Sequence, residues 1–184
     1  MRIGLDIDGT IRDIVTPLYR LVGQLYPNMK IDPIEEWKDY KIWKYFHGLD
    51  EKQLKEIWFN KYAEGIYFYT AKPYDDFWKI KDELFSKHEV VYLTAQPNSK
   101  TRDLTLRWLE YYNIENHEIH FVDYDKKHLV ECDVYIEDSP AQQEMILGIQ
   151  DEWLVCLLVK RPWTENHNSF SWKQIMKKLN LQYG

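Results

Sequence analysis

The sequence predicts an α/β fold, a parallel sheet covered by helices, with one helical insert placed early in the chain. Three observations predict it. From residue 74 onward, short apolar runs alternate with helical periods, among them Val90-Val91-Tyr92-Leu93, Ile119-His120-Phe121-Val122 and Val134-Tyr135-Ile136. That alternation belongs to parallel strands buried on both faces. Residues 15–73 carry helical stripes without a strand pattern, so an insert cuts off the first apolar run, at residues 2–7, from the others. Asp6, Thr94 and Asp138 stand where three of these runs end, and open α/β sheets bind ligands beyond the carboxyl ends of their strands.

Each element has its own signal. Residues 2–7 read as a buried strand running into the Asp8-Gly9 turn. Thr16-Pro17 is expected to open the first helix, with Leu18, Leu21, Val22 and Leu25 as its stripe and an end near Pro27. Asp32-Pro33-Ile34-Glu35 has the form of a capping box. Asp50-Glu51-Lys52-Gln53 repeats it, with Leu49 and Leu54 placed as a hydrophobic staple. Residues 16–63 are therefore expected to be helical. A helix from about Tyr74, with Phe77, Ile80 and Leu84 on one face, precedes the Val90–Leu93 strand, and one from Ser99 to about Tyr112 follows it. Further on come a short helix ended by Gly148, a strand from Trp153 to Val159 and a last helix from Ser171. The expected division is a core of residues 1–14 and 74–184 and a helical cap of residues 15–73.

At 184 residues the chain holds one domain with room for a small inserted subdomain. Aromatic residues, at 16%, are abundant enough to need an explanation beyond packing. A net charge of -6 and a pI near 5.5 argue against duplex nucleic acid as the main ligand. Cys132 and Cys156 sit in apolar stretches without ligand-like spacing and read as reduced core thiols. The chain opens without the apolar run of a signal peptide and has no membrane-length stretch, which leads to the expectation of a soluble, cytoplasmic protein.

Asp6 and Asp8, two apart on a short strand, could supply a nucleophilic carboxylate and a neighbouring general acid, the two roles that phosphoryl transfer requires. The competing reading is an Asp-Gly turn that merely closes a strand. Glu137-Asp138 places a second acid pair at another strand end, and with Asp6 it makes a hard-oxygen site suited to Mg2+. Acids decorating a helix start ahead of Ser139-Pro140 would look the same. Thr94 could donate to a phosphate oxygen, and Lys126 or Lys127, about ten residues ahead of the acid pair, could hold the phosphate.

In order, Leu5-Asp6-Ile7-Asp8-Gly9-Thr10, Leu93-Thr94-Ala95, Lys127 and Ile136-Glu137-Asp138 resemble the motifs of the haloacid dehalogenase superfamily of aspartate-nucleophile phosphatases. The resemblance spans nearly the whole chain and implies a Rossmann-like parallel sheet with an α-helical cap, and Mg2+ as cofactor. It implies Asp6 as nucleophile and metal ligand, and Asp8 as the acid/base that also lends its main-chain carbonyl to the metal. Asp138 becomes the third ligand, with Glu137 beside it, and Thr94, Ala95 and Lys127 hold the phosphate. The presence of Asp8 sets the chain apart from the superfamily's dehalogenases. Within the superfamily the cap and the Asp123–Asp138 stretch are most similar to the 5'(3')-deoxyribonucleotidases, whose lysine-to-acid spacing Lys127 fits better than Lys126. The chain departs from that family at Glu137-Asp138, where the family has Asp-Asp, and at Thr94-Ala95-Gln96-Pro97, where it has Thr-Ser-Pro.

The insert is dense in aromatic side chains, on which a nucleobase could stack. Trp58 and Tyr62 align with Leu54 on one helical face and are expected in the core. Trp43 and Phe46, just ahead of His47-Gly48, are candidates for touching the substrate, and Lys100 and Arg102 for steadying its phosphate. The expected substrate is a small phosphorylated molecule, preferably a (deoxy)nucleoside monophosphate, met by an enzyme away from membranes, with a homodimer among the expectations. The rivals are a phosphatase of sugar phosphates or nucleic-acid ends, and a catalytically silent binding module of the same fold.

Overall fold

The computed structural model describes residues 1–59, 64–149 and 154–183. Six strands form one parallel sheet: β1 (Arg2–Leu5), β4 (Glu89–Thr94), β5 (Glu118–Phe121), β6 (Val134–Glu137), β7 (Val155–Val159) and β8 (Ser169–Phe170). Their spatial order is β5-β4-β1-β6-β7-β8. β1 lies in the middle because Ile3 and Leu5 are wholly buried and Gly4 lets the neighbouring layer close in. A Cβ at Gly4 would stand 2.7 Å from Leu93 Cδ1. Helices α4 (Asp75–Trp78), α5 (Lys81–Lys87), α6 (Ser99–Tyr111), α7 (Pro140–Leu147) and α8 (Trp172–Tyr183) flank the sheet. Phe77, Leu84, Trp108, Trp172 and Leu179 pack with β1 residues in the main core, while Cys132 and Cys156, both free thiols, lie in a second cluster.

The expected α/β alternation is present, with two additions the sequence did not reveal. β8 is a two-residue edge strand, and β2 (Arg12–Asp13) pairs antiparallel with β3 (Lys72–Pro73). This ribbon joins the chain where it leaves the core to the place where it returns. The helix expected from Tyr74 is split between α4 and α5, with Phe77 and Leu84 buried and Ile80 packed against the same core.

Between β2 and β3 the expectation that residues 16–63 are helical is corrected for the stretch from Asp32. Among the described residues α-helix is confined to α1 (Val15–Leu25), α2 (Glu51–Phe59) and α3 (Ile66–Thr70), and the chain between α1 and α2 makes 3₁₀ turns at Ile34–Glu36 and Ile42–Tyr45. The cause is Trp37. It is fully buried, stacked on Tyr45 with centroids 5.2 Å apart, edge-on to Phe46 at 5.5 Å, and donates its indole N–H to the Asp32 carbonyl at 2.9 Å. Closing the chain around this ring outweighs the helical preference of residues 32–35, and Asp32 turns its carboxylate to His47 instead of capping.

Asp50 does cap α2 as expected: Gln53 N–H donates to Asp50 Oδ1 at 2.7 Å and Asp50 N–H to Gln53 Oε1 at 2.9 Å. At α1 the cap comes from Asp13, which accepts from Thr16 N–H at 3.0 Å, so Thr16-Pro17 falls inside the first turn. Tyr62 and Trp153 lie outside the described residues. No helix among the described residues is long and apolar enough to cross a membrane.

Candidate active site

The pairing of β1 with β6 continues one step past Leu5, where Asp6 N–H donates to the Ile136 carbonyl at 3.1 Å. That register sets Asp6 beside Glu137 and Asp138. One carboxylate oxygen from each of the three lies within 4.8 Å of the others, and all three side chains are buried. Lys127 Nζ reaches into the cluster, donating to Asp6 Oδ1 at 2.5 Å and Glu137 Oε1 at 2.7 Å. Burial works against the ammonium, but its two carboxylate partners outweigh it and hold Lys127 above its ordinary pKa.

Burial is also the main reason the acids are shifted upward. It pushes Asp138 up to about 8, reinforced by the charge of Asp6 and opposed by Lys127 and by the indole N–H that Trp163 donates at 3.0 Å. Asp6 and Glu137 are raised for the same first reason, with Lys127 pulling back. Three buried carboxylates around one ammonium are under-compensated, and Glu137 Oε2 has no hydrogen-bond partner among the described residues. An all-oxygen donor set with surplus negative charge fits a hard divalent cation such as Mg2+.

The turn that carries Asp8 is built to pass close to this cluster. Gly9 has φ +84°, and a Cβ there would overlap the Asp138 carboxylate. Arg161, just beyond β7, fixes the turn from behind: Nε donates to the Gly9 carbonyl at 2.9 Å and Nη2 to the Thr10 carbonyl at 2.7 Å. Its guanidinium lies 3.6 Å above the Tyr74 ring and pairs with Asp76 at 3.0 Å. Thr10 Oγ1 in turn donates to Asp6 Oδ2 at 3.0 Å. Asp8 meets Arg12 through Oδ1 and the Gln96 amide through Oδ2.

A cavity of about 630 Å³ opens above these groups. Asp6, Asp8, Thr94, Ala95, Lys127 and the Glu137-Asp138 pair line its floor, and Trp43 lines it as well. Two expected substrate contacts are corrected. Phe46 is 1% exposed, spent on packing Trp37, and does not line the cavity. Lys100 points outward on α6, 3.6 Å from Glu64. Arg102 donates to the Gln96 carbonyl at 3.2 Å and so supports the wall without forming it. Lys126 is exposed and paired with Asp123 at 2.5 Å, which leaves Lys127 as the lysine of the cluster.

Trp58 packs against the core as expected and also lines the cavity, with Phe59 and Tyr40. Tyr40 lies between the two 3₁₀ turns and is 37% exposed. Enclosure by the cavity walls and the charge of Asp138 raise its hydroxyl well above the ordinary phenol value. No spacing signal separates Tyr40 from the chain's other tyrosines. Arg12, between Ile11 and Asp13, and Arg161, directly after Lys160, carry no spacing signal either.

The model of the family described as "5' nucleotidase, deoxy (Pyrimidine), cytosolic type C protein" matches residues 1–179. The chain belongs to this family. A Halalkalibacterium halodurans protein that carries the name "Putative nucleotidase BH1399" is 32% identical over 142 residues, covering 75% of this chain and 69% of that protein. Among solved structures, the haloacid dehalogenase-like hydrolase SP0104 from Streptococcus pneumoniae superposes with a TM-score of 0.52 over 88% of this chain and 94% of its own. At 15% identity that likeness shows the fold alone. As a member of this family the chain is a phosphatase of the 5'-nucleotidase kind, for which the family implies a small nucleoside monophosphate as substrate, and its core has the haloacid dehalogenase-like fold.

Proposed function

We propose that the chain hydrolyses (deoxy)nucleoside monophosphates with Mg2+, through a phosphoryl group carried on Asp6. The observation that carries this reading is the position of Asp6 on the cavity floor, where Thr10 and Lys127 orient its two oxygens and Asp8 stands one turn of chain away. An Asp6 oxygen attacks phosphorus, the P–O ester bond breaks, and Asp8 passes a proton to the departing sugar oxygen. Water then attacks the phosphorus of the aspartyl-phosphate and gives a proton to Asp8, which restores Asp6 and releases phosphate.

Lys127 and the Thr94 hydroxyl bind the phosphoryl oxygens throughout. Their charge and dipole face the place where negative charge grows. Asp6, Asp138 and the main-chain carbonyl of Asp8, with Glu137 adjacent, would hold Mg2+, which when bound supplies charge neutralisation of the phosphoryl group.

Residues 15–73 act as the cap in this reading and exclude water over the site. Trp43 and Trp58 offer faces to the base, while Tyr40 and Lys41 stand on the cap side of the cavity. A cytoplasmic setting belongs to the same proposal, in keeping with the family's description as cytosolic and with two free thiols.

A panel of deoxynucleotides, ribonucleotides, sugar phosphates and 5'-phosphorylated oligonucleotides, assayed with Mg2+ and with EDTA, tests it. Mononucleotides are expected to turn over fastest, and only with the metal. Preference for a sugar phosphate, or undiminished turnover in EDTA, would contradict the reading.

A further inference from the structure

Gln96 follows β4 on the cavity wall and is 3% exposed. Its amide N–H donates to Asp8 Oδ2 at 2.5 Å and to Thr94 Oγ1 at 3.4 Å. The main chain around it is held too, by Arg102 on the Gln96 carbonyl and by Asn98, whose side chain accepts from Thr101 N–H at 3.0 Å as the N-cap of α6.

The other Asp8 oxygen is taken by Arg12, through Nε at 2.7 Å and Nη2 at 2.6 Å. Arg12 is fully buried, bonded to Thr105 Oγ1 at 3.1 Å and flanked by the Phe68 and Trp108 rings at 5.1 and 5.2 Å. Both Arg12 contacts fall on Oδ1. Alone they leave the carboxyl free to rotate about that oxygen, and the contact to Oδ2 fixes its plane.

We propose that Gln96 is a positioning residue that works through Asp8, holding the carboxyl at the angle from which it passes a proton to the leaving oxygen. The inference rests on the assignment of Asp8 as the acid. A side chain that served only to fill space would not carry the cost seen here, where Gln96 Oε1 is buried with no hydrogen-bond partner among the described residues. The same amide touches Thr94, so the proton donor and a phosphate contact are tied to one group.

The test compares a deoxynucleoside 5'-monophosphate, whose alkoxide needs a proton to leave, with p-nitrophenyl phosphate, whose aryl oxide leaves without one. Rates with Mg2+ are measured for the wild type, Gln96→Met, Gln96→Glu, Asp8→Asn and the Asp8→Asn/Gln96→Met double variant, with melting temperatures alongside. Gln96→Met is expected to lower the nucleotide-to-aryl rate ratio by about tenfold or more, a share of what a general acid supplies. Gln96→Glu has the same size but no N–H to donate. It should lower the ratio similarly, and it carries the comparison if the Met variant does not fold.

Asp8→Asn should lower the ratio further, and adding Gln96→Met to it should change the ratio by less than about twofold. Equal losses on both substrates, no loss on either, or an undiminished Gln96 effect in the Asp8→Asn background would overturn the inference while leaving Asp8 its role. An unchanged ratio in Asp8→Asn would remove the acid role itself, and the inference with it.

Discussion

Arg161 shows how a residue far along the chain decides the shape of a motif near its start. Its two bonds to the Gly9 and Thr10 carbonyls are made by a buried charge, and truncation would leave both oxygens without that partner. Arg161→Met is expected to destabilise the fold by about 3 kcal/mol, read from denaturant midpoints, because hydrogen bonds to charged groups are the costly ones to lose.

Trp43 belongs to the same scale. If its face holds the base, Trp43→Ala should raise KM for nucleotides about tenfold and leave KM for a small phosphate ester nearly unchanged, since stacking is worth about 1–3 kcal/mol. Equal changes for both substrates would remove the stacking role. The structure brings Asp6, Asp8, Thr94, Lys127 and Asp138 to one cavity; in the sequence Asp6, Thr94 and Asp138 stand where apolar runs stop and Asp8 in the turn after the first, while Lys127 is marked only by its order ahead of the acid pair. The inward facing of Phe46 was not legible, because Trp43 lies in and Phe46 directly follows a short 3₁₀ turn whose facing depends on Trp37, a tertiary contact.

Two elements with similar sequence signals behave differently, and the difference is measurable. Asp50 caps α2 through its side chain, so Asp50→Ala should cost about 1 kcal/mol. Asp32 has the same flanking pattern but bonds exposed His47 instead, so Asp32→Ala should cost clearly less in the same denaturation experiment. Equal costs would contradict the account of residues 32–46. β1, β4, β6 and β7 were legible because their apolar runs are buried on both faces, and edge strand β5 by its short apolar run, although it is only half-buried. β2, β3 and β8 were not, because two residues carry no period, and their pairing is decided by where the rest of the chain brings them.

Across the molecule, burial sets the chemistry of the thiols as well as of the acids. It pushes Cys132 from an ordinary value of 9.0 up to about 11, and Cys156 higher still. The folded state therefore holds these protons after the unfolded chain has lost them. For Cys132 the contribution to stability is complete below pH 9 and is lost as pH rises from 9 toward 11. Both thiols should resist alkylation at about pH 8 in the folded protein and react in denaturant, and fast labelling of the native protein would contradict their burial.

The sheet brings β1 and β6 side by side, so that their ends place three acids together and the 3₁₀ turn ahead of β6 adds Lys127, on a cavity also lined by aromatic residues. The central claim for that assembly is the nucleophilic role of Asp6. Phosphate release from a deoxynucleoside 5'-monophosphate with Mg2+, compared between wild type and Asp6→Asn with melting curves recorded on both, tests it most directly. Release should fall to background in the variant while the melting transition is kept, and release at the wild-type rate would contradict the account.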